Sequence, residues 1–291
     1  MSEPEFIAAL RALARHPAAR GLADDCAVLE MGGETLVLTH DMMVEGVHWL
    51  PGQDPADVAW KLVATNLSDL AAKGAEPVGV LLGYTLGEGD ARFLEGLGEA
   101  LAAFDVPLLG GDTVSGQGGR SHGLTALGRA TCRPVPSRSG ARAGDGVWLC
   151  GSVGGAMLGF EALQGGTGGD RTAFRRPMPL LREGRALAPL VTAMMDVSDG
   201  VLLDAARLAQ ASGVTLVIDS AEVPLSPGVP AARRRDALAW GDDYALLFTL
   251  PGGTVPPVAA TRIGGVESAG EHPLLLDGAP PEGRIGYIHR R

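Results

Sequence analysis

The sequence predicts an α/β or α+β fold built as two domains, and three observations lead to this prediction. Short apolar runs typical of strands alternate with longer stretches of helical periodicity. The length of 291 residues is enough for two domains that each have a hydrophobic core. A stretch rich in proline, glycine and serine at 133–145 divides the sequence. We therefore expect one domain at 1–135 and another at 136–291.

The elements of the first half follow from helix-capping residues and periodicity. A helix is predicted from Pro55 to about Lys73, because Asp54 suits the capping position and proline suits the first helical position. Gly74 is suited to end this helix. Four strands and a second helix accompany it, the strands at 36–39, 78–85, 108–112 and 124–130 and the helix at 90–104.

The second half repeats the alternation, so each half resembles one α/β layer unit. Strands are predicted at 146–151, 194–196, 214–219 and 244–250, and helices at 154–163 and 199–212. Ser198 is a candidate cap for the last of these helices.

Composition excludes several classes of function. A hydrophobic fraction of 46% and a mean hydropathy of +0.15 indicate a folded protein, and no apolar run is long enough to span a bilayer. The first residues lack a basic segment followed by an apolar one, so we expect a cytoplasmic protein without a membrane partner. A net charge of −10 argues against nucleic acid as a partner. Three cysteines without a CxxC pair argue against a disulfide framework or a zinc cluster.

The familiar nucleotide-binding motifs are absent from the sequence. It has no GxxxxGK[ST] loop, no protein-kinase signature, and no GxGxxG that follows a strand and opens a helix. The stretch from Gly151 to Gly155 has the glycines of a phosphate loop but no lysine, and a tight turn is the favoured interpretation.

Aspartates recur where predicted strands and helices begin or end. Each one alone is best explained as a turn or capping residue. Asp69 is different, because aspartate is unfavourable inside a helix. It shares one helical face with Asn66 and Lys73, and a solvated face is the alternative explanation.

The segment 196–200, DVSDG, places two carboxylates at a strand-to-helix junction. At 4 Å such charges repel by about 4 kcal/mol at an effective dielectric of about 20, so they need a raised pKa or a bound cation. Oxygen ligands without a histidine or cysteine cluster favour magnesium over zinc. Near another strand end, Gly110 and Gly111 precede Asp112 and would let the backbone approach a phosphate, although a plain turn explains them as well.

Seven stretches together resemble one family, the thiamine-monophosphate kinases, in the superfamily of aminoimidazole ribonucleotide synthetase. They occur in the family's order and span nearly the whole chain. The stretches are GLADDCAVL at 21–29, THDMMVEGVHWL at 39–50, DPADVAWKLVATNLSDLAAKGA at 54–75, GGDT at 110–113, RSGARAGD at 138–145, DVSDGVL at 196–202 and GDDYAL at 241–246.

The resemblance implies a two-domain aminoimidazole ribonucleotide synthetase-like fold whose N-terminal domain forms a β-barrel across a homodimer. It implies ATP as co-substrate, thiamine monophosphate as acceptor and several magnesium ions. An in-line transfer does not need a covalent phosphoenzyme, and the sequence leaves that alternative open. The implied metal ligands are Asp25, Thr39, His40, Asp41, Asp69, Asp112, Asp196 and Asp199. The implied ATP contacts are Gly111, Asp112, Arg138 and Ser198. The implied thiamine monophosphate contacts are His48, Asp242 and Tyr287.

The chain departs from the usual family pattern at several of these positions. His40 stands where threonine is usual, so a backbone carbonyl could still bind metal there. Asp242 replaces glutamate, Ala245 replaces the glutamate that usually follows the tyrosine, and Ala23 replaces a glycine. The magnesium centre therefore matches the family better than the thiamine pocket does. Another ATP-using enzyme of the superfamily, an inactive nucleotide-binding regulator and a magnesium-dependent phosphatase are the alternative functions.

Overall fold

Two β-sheets, one in each half of the chain, form the frame of the computed structural model, which describes residues 3–116, 118–166 and 169–289. The sheet of the first half has five strands in the order β1-β2-β5-β3-β4, and only β3 and β4 run parallel. The elements of this half are α1 (Glu3–Arg11), β1 (Ala27–Met31), β2 (Glu34–Val44), α2 (Pro55–Ala72), β3 (Ala75–Thr85), α3 (Asp90–Ala103), β4 (Leu108–Val114) and β5 (Ser121–Ala130).

The second half contains a mixed sheet of six strands. Its order is β11-β8-β10-β6-β9-β7, with β8 and β11 parallel and the other neighbours antiparallel. The elements are β6 (Gly146–Cys150), α4 (Gly155–Gln164), α5 (Thr172–Arg175), α6 (Leu181–Leu187), β7 (Ala193–Asp196), α7 (Val201–Ser212), β8 (Val214–Ile218), α8 (Arg234–Leu238), β9 (Leu246–Leu250), β10 (Thr261–Ser268) and β11 (Leu274–Leu276).

Helix α2 begins and ends as the sequence predicts. The Asp54 carboxylate accepts a hydrogen bond from the Ala56 N–H at 3.1 Å, and Pro55 occupies the first helical position. The helix ends at Lys73, and Gly74 follows with a φ of 59°. Local capping chemistry therefore sets both ends of this helix.

Helix α2 lies in the centre of the molecule and is buried on nearly every side. Of its residues from Ala56 to Ala72, all but Trp60 are buried. Two glycines allow close packing against it. A Cβ at Gly96 of α3 would lie 2.2 Å from the Ala56 carbonyl oxygen, and one at Gly184 of α6 would lie 2.0 Å from the Ala71 carbonyl oxygen. Any larger residue at these positions would push the helices apart.

The buried hydrophobic residues of the described chain form three clusters around the two sheets and the central helix. One cluster fills the space between the first sheet and helices α2 and α3, and another lies around α7 and the second sheet. The third joins the two halves, because Ala71 and Ala72 at the end of α2 pack with Met194 of β7 and Phe248 of β9. The halves therefore share a core through α2.

The structure corrects several predicted elements. The 110–112 segment is not a turn, because β4 continues through it to Val114. Helix α7 begins at Val201 and not at Asp199, and no side chain caps it, so Ser198 is not its cap. Elements α1, β1, α5, α6, α8, β10 and β11 have no counterpart in the sequence prediction, since several are short and tertiary packing decides their conformation.

In the described part of the chain, no helix is both long and apolar enough to cross a membrane. Over the same residues the five-stranded sheet is open, with β1 and β4 at its edges. The described residues of this half therefore form an open sheet and not a closed barrel. The domain limits at 135 and 136 stay a prediction.

Candidate metal and substrate site

Three aspartates from distant parts of the sequence meet between the two sheets. Carboxylate oxygens of Asp25, Asp69 and Asp196 all lie within 4.8 Å of one another. We call these residues the acid triad. Asp25 precedes β1, Asp69 lies on α2 and Asp196 ends β7. The triad thus forms where the central helix contacts strands of both halves.

Hydroxyl groups orient two members of the triad. The Thr39 hydroxyl of β2 donates a short hydrogen bond to Asp69, and the Ser68 hydroxyl donates one to Asp196 at 2.7 Å. Asn66, Asp69 and Lys73 are all buried, which rules out the solvated helix face that the sequence left open. The polar residues of α2 point into the molecule and form part of the site.

Burial and the charges of neighbouring carboxylates raise the pKa of two triad members, Asp69 and Asp196. Burial, followed by the charges of Asp41 and Asp196, raises the pKa of Asp69 well above its usual value. Burial and the nearby Asp25 raise the pKa of Asp196 to about 8. A divalent cation would favour the ionised forms and offset this cost. One oxygen of Asp25, Oδ2, is buried and accepts no hydrogen bond.

Two basic groups contact the Asp25 side of the triad. The Lys73 ammonium is fully buried and lies 2.5 Å from Oδ1 of Asp24 and 2.5 Å from Oδ2 of Asp25. The contact with Asp25 is an ion pair without hydrogen-bond geometry, since Oδ2 has no hydrogen-bond partner. The Arg138 Nε donates a hydrogen bond to Oδ1 of Asp25 at 2.7 Å.

Asp41 and Asp199 extend the acidic region towards a cleft, and both line that cleft. The Asp41 N–H donates to Oδ1 of Asn66 at 2.9 Å, and burial raises the pKa of Asp41 to about 6. Asp199 is paired with Arg207, which also contacts Asp204 at 3.0 Å. Ser198 lines the same cleft.

The cleft has a volume of about 510 Å³ and lies beside the acid triad. His48, Asp242 and Tyr287 all line it. The Lys61 ammonium, on α2, makes a short ion pair with Asp242 and lies 3.8 Å from the ring centre of Phe174. The cleft therefore combines charged groups with aromatic faces.

His48 presents one defined nitrogen to this cleft. Its Nδ1 accepts a hydrogen bond from the Val44 N–H at 3.0 Å, which leaves the proton of the neutral ring on Nε2. Burial lowers the pKa of His48 and thus favours the neutral ring. His48 therefore makes a structural hydrogen bond to β2 and also lies in the cleft.

A strained turn carries Asp242. Both Asp242 and Tyr244 have positive φ angles, 64° and 52°, which are uncommon outside glycine. Between them, the Asp243 carboxylate accepts hydrogen bonds from the Gly154 N–H at 3.0 Å and the Ala156 N–H at 3.4 Å. Asp243 thus fills the amino end of α4, so the glycine loop there is a turn and not a phosphate loop, as the sequence favoured.

The carboxyl-terminal segment closes one side of the cleft. The Tyr287 N–H donates to the Asp199 carbonyl oxygen at 2.9 Å, and the His289 ring lies 5.5 Å from that of His48. The His289 N–H donates to the Glu3 carboxylate of α1 at 3.0 Å. Both ends of the described chain therefore meet at this site.

Three candidate residues lie apart from the triad within one chain. The His40 side chain faces Thr125 on the opposite side of β2 from Thr39 and Asp41, so only its backbone could face the triad. Gly111 and Asp112 lie on the exposed edge strand β4, where Asp112 is level with Gly83. Three strand spacings, about 14 Å, separate that level of β4 from β2. A Cβ at Gly111 would lie 1.9 Å from the Leu82 carbonyl oxygen, so close strand packing explains this glycine.

The sequence did not identify the part that the two lysines play. Both lysines of the chain are buried on or beside α2, and both pair with acidic residues of the site. Two rare cations on one predicted helix were the available signal. Phe174, Tyr244 and Arg207 carried no local signal, because their partners come from distant segments.

This chain, which has two domains and a carboxylate centre between its sheets, belongs to the AIR synthase related family. The model of the N-terminal domain of AIR synthase related protein matches residues 23–130, and that of the C-terminal domain matches residues 142–269.

Within this family the chain belongs with the thiamine-monophosphate kinases. It is 41% identical over 258 residues to the one from Caulobacter vibrioides, which covers 82% of this chain and 73% of the relative. It is 37% identical over 252 residues to the one from Escherichia coli, covering 79% and 76%. The structure of AaThiL complexed with AMPPCP and TMP superposes with a TM-score of 0.89 at 29% identity, covering 99% of this chain and 97% of that one. These matches confirm the family and the two-domain fold.

Proposed function

We propose that this protein transfers the terminal phosphoryl group of ATP to thiamine monophosphate and forms thiamine diphosphate and ADP. The observation that carries the proposal is the position of the acid triad directly beside a cleft lined by His48, Asp242 and Tyr287. The names of the relatives and the ligands of AaThiL, AMPPCP and TMP, support it.

The reaction needs charge neutralisation more than a base. An oxygen of the acceptor's phosphate is already ionised near neutral pH and can attack the γ-phosphorus directly. A new P–O bond forms while the bond between the γ-phosphorus and the β–γ bridging oxygen breaks, and ADP leaves with that oxygen. The difficulty is to bring two polyanions together, so positioning and electrostatics would supply most of the acceleration.

The residues present fit magnesium ions. The triad offers only oxygen ligands, Oδ2 of Asp25 lacks a hydrogen-bond donor, and the pKa of Asp196 is raised to about 8 by burial and by Asp25. Such a set suits a hard divalent cation. Asp25, Asp69 and Asp196 would hold the metal, with Thr39, Asp41, Asp199 and the backbone of His40 beside them. Bound magnesium would neutralise charge on the transferring phosphate.

Two cleft residues have defined tasks in this proposal. The Nε2–H of His48 would donate a hydrogen bond to thiamine monophosphate. Asp242, fixed by its strained turn and by Lys61, would face the positively charged thiazolium ring. Tyr287 would close the pocket as part of the carboxyl-terminal segment. Arg138, which contacts Asp25, and Ser198, which lines the cleft, would contact ATP.

The proposal includes a homodimer whose two five-stranded sheets close into a β-barrel. Every residue of β4 is exposed, and Leu108, Leu109 and Val114 on this strand have exposed fractions of 46%, 54% and 52%. An apolar edge strand of this kind needs a cover. We retain Gly111 and Asp112 as ATP and metal contacts as part of this dimer proposal. A sedimentation measurement that finds only monomers at micromolar concentration would argue against it.

The experiment that tests the function is a product analysis. Purified protein is incubated with ATP, magnesium and thiamine monophosphate, and thiamine diphosphate and ADP are separated by chromatography. Controls omit the acceptor, replace magnesium by EDTA, or use the Asp69→Asn variant. We expect equal amounts of both products, in the presence of magnesium only, and none from the variant.

Other outcomes would favour the alternative functions. ADP and inorganic phosphate without thiamine diphosphate would indicate a phosphatase or an enzyme with another acceptor. Bound but intact ATP would indicate a nucleotide-binding regulator. Near-normal turnover by Asp69→Asn would contradict the assignment of the triad as the metal centre.

A further inference from the structure

We propose that Lys73 is a built-in counter-ion of the acid triad, so that divalent cations must compete with its ammonium group for Asp25. The inference rests on the proposed metal centre and deepens it. Lys73 would act through Asp25 and Asp24 and would be a positioning residue, without contact to the substrate.

The first argument is the position of the ammonium group. Lys73 has an exposed fraction of 0%. Its Nζ lies 2.5 Å from Oδ1 of Asp24, 2.5 Å from Oδ2 of Asp25 and 3.2 Å from the carbonyl oxygen of Met194. These are all oxygen atoms, which is also the environment that a hard metal ion prefers. The ammonium therefore occupies a place at the triad that suits a bound cation.

The second argument is the atom that Lys73 contacts on Asp25. Oδ1 of Asp25 already accepts a hydrogen bond from Arg138 at 2.7 Å. The other oxygen, Oδ2, has no hydrogen-bond partner, and its ion pair with Lys73 is the contact that a metal ion at the triad would have to replace or share. A divalent cation near Oδ2 would also be repelled by the ammonium.

The third argument is that Lys73 cannot readily leave. It is the C-cap residue directly after α2, and its N–H still bonds to the carbonyl oxygen of Leu70. A positive charge at the carboxyl end of a helix is favourable. Asp24 is likewise fixed, since it also pairs with Arg20 at 2.5 Å. The charge of Lys73 is thus a permanent feature of the site and not a surface group that happens to lie nearby.

Lys73 would have two opposing effects. Without metal, its charge offsets the repulsion among buried carboxylates and stabilises the folded protein. With metal, the same charge weakens the binding of the divalent ion at Asp25. A residue that serves only to hold the fold together would have the first effect and not the second.

The test compares four proteins, namely the wild type and the variants Lys73→Gln, Lys73→Met and Lys73→Arg. Glutamine is neutral but can still donate hydrogen bonds to Asp24 and to Met194, while arginine retains the charge. Manganese(II) serves as the probe without nucleotide, and its affinity is measured by the electron paramagnetic resonance signal of the free ion. Melting temperatures are recorded with EDTA and with manganese.

We expect both neutral variants to bind manganese at least about tenfold more tightly than the wild type, and arginine to leave the affinity within about threefold. In EDTA we also expect the neutral variants to melt at a lower temperature than the wild type. Manganese should raise their melting temperature by more than it raises that of the wild type. Neutral variants that fold only with manganese present would support the inference in the same way.

Three results would overturn it. One is an unchanged or weaker manganese affinity in folded neutral variants. A second is neutral variants that stay unfolded at saturating manganese, since a metal ion then cannot replace the ammonium. The third, in which neither wild type nor variants bind manganese, would also remove the proposed metal centre, whereas the first two leave it intact.

Discussion

Replacing Asp196 by asparagine should abolish turnover and at the same time stabilise the metal-free protein at alkaline pH. Asp196 is 3% exposed and shares the acid triad with Asp25 and Asp69. Asparagine keeps the size of the side chain and an oxygen that can accept the hydrogen bond from Ser68. The substitution therefore removes a charge with little other change, and loss of a metal ligand explains the loss of activity.

The size of the stabilisation follows from distance and from pKa. Two carboxylates at 4.8 Å repel by about 3.5 kcal/mol at an effective dielectric of about 20. The pKa of Asp196 rises from 3.8 to about 8 in the folded protein. A raised folded-state pKa means that the contribution of this group to stability is complete below about pH 4 and is lost as the pH rises to about 8. The loss proceeds at up to about 1.4 kcal/mol per pH unit.

Urea unfolding in EDTA at pH 5, 7 and 8.5 measures this effect. We expect the wild type to lose stability across this range, and the variant to lose less and to exceed the wild type by about 3 kcal/mol at the highest pH. Asp105→Asn is the matched control, because Asp105 is exposed and its φ of 50° suits asparagine. Parallel pH profiles for the wild type and Asp196→Asn would refute the reasoning, and so would retained turnover.

Three further predictions concern packing, the strained turn and the cleft. Gly96→Ala should lower the free energy of unfolding by at least about 2 kcal/mol, since its Cβ would meet the backbone of α2 at 2.2 Å. Gly98→Ala on the same helix has open space and should raise the free energy of unfolding by about 0.5 to 1 kcal/mol. Thermal melting tests both variants, and equal effects would contradict the packing argument. Asp243→Ala should raise the KM for thiamine monophosphate more than that for ATP, because it frees the turn that positions Asp242, and equal changes would argue against a positioning role. Lys61→Met should lower the free energy of unfolding by about 3 kcal/mol, because the Asp242 carboxylate loses its ammonium partner and keeps only the hydrogen bond from the Tyr244 hydroxyl. Adding Asp242→Asn should recover part of the loss in urea unfolding, whereas strictly additive losses would show that the pair is not coupled.

The sequence alone determined those features whose causes are local. The capping residues fix α2 between Asp54 and Gly74. Motifs dispersed in a fixed order identified the family, and the matches to the two domain models of AIR synthase related protein confirm it. These features depend on residues that are near neighbours along the chain or on the order of short motifs, and both can be read without coordinates.

Only the tertiary structure decided which polar residues are buried together. The partners Lys73 and Asp24 are 49 positions apart, and Lys61 and Asp242 are 181 positions apart. No periodicity links such residues, because their contact depends on how two sheets pack against opposite sides of one helix. The same packing makes the polar face of α2 an interior surface and leaves Asp112 on a distant edge strand. Local capping and periodicity decide where each element begins and ends, but long-range packing decides which charges face one another, and in this protein those charges make the site.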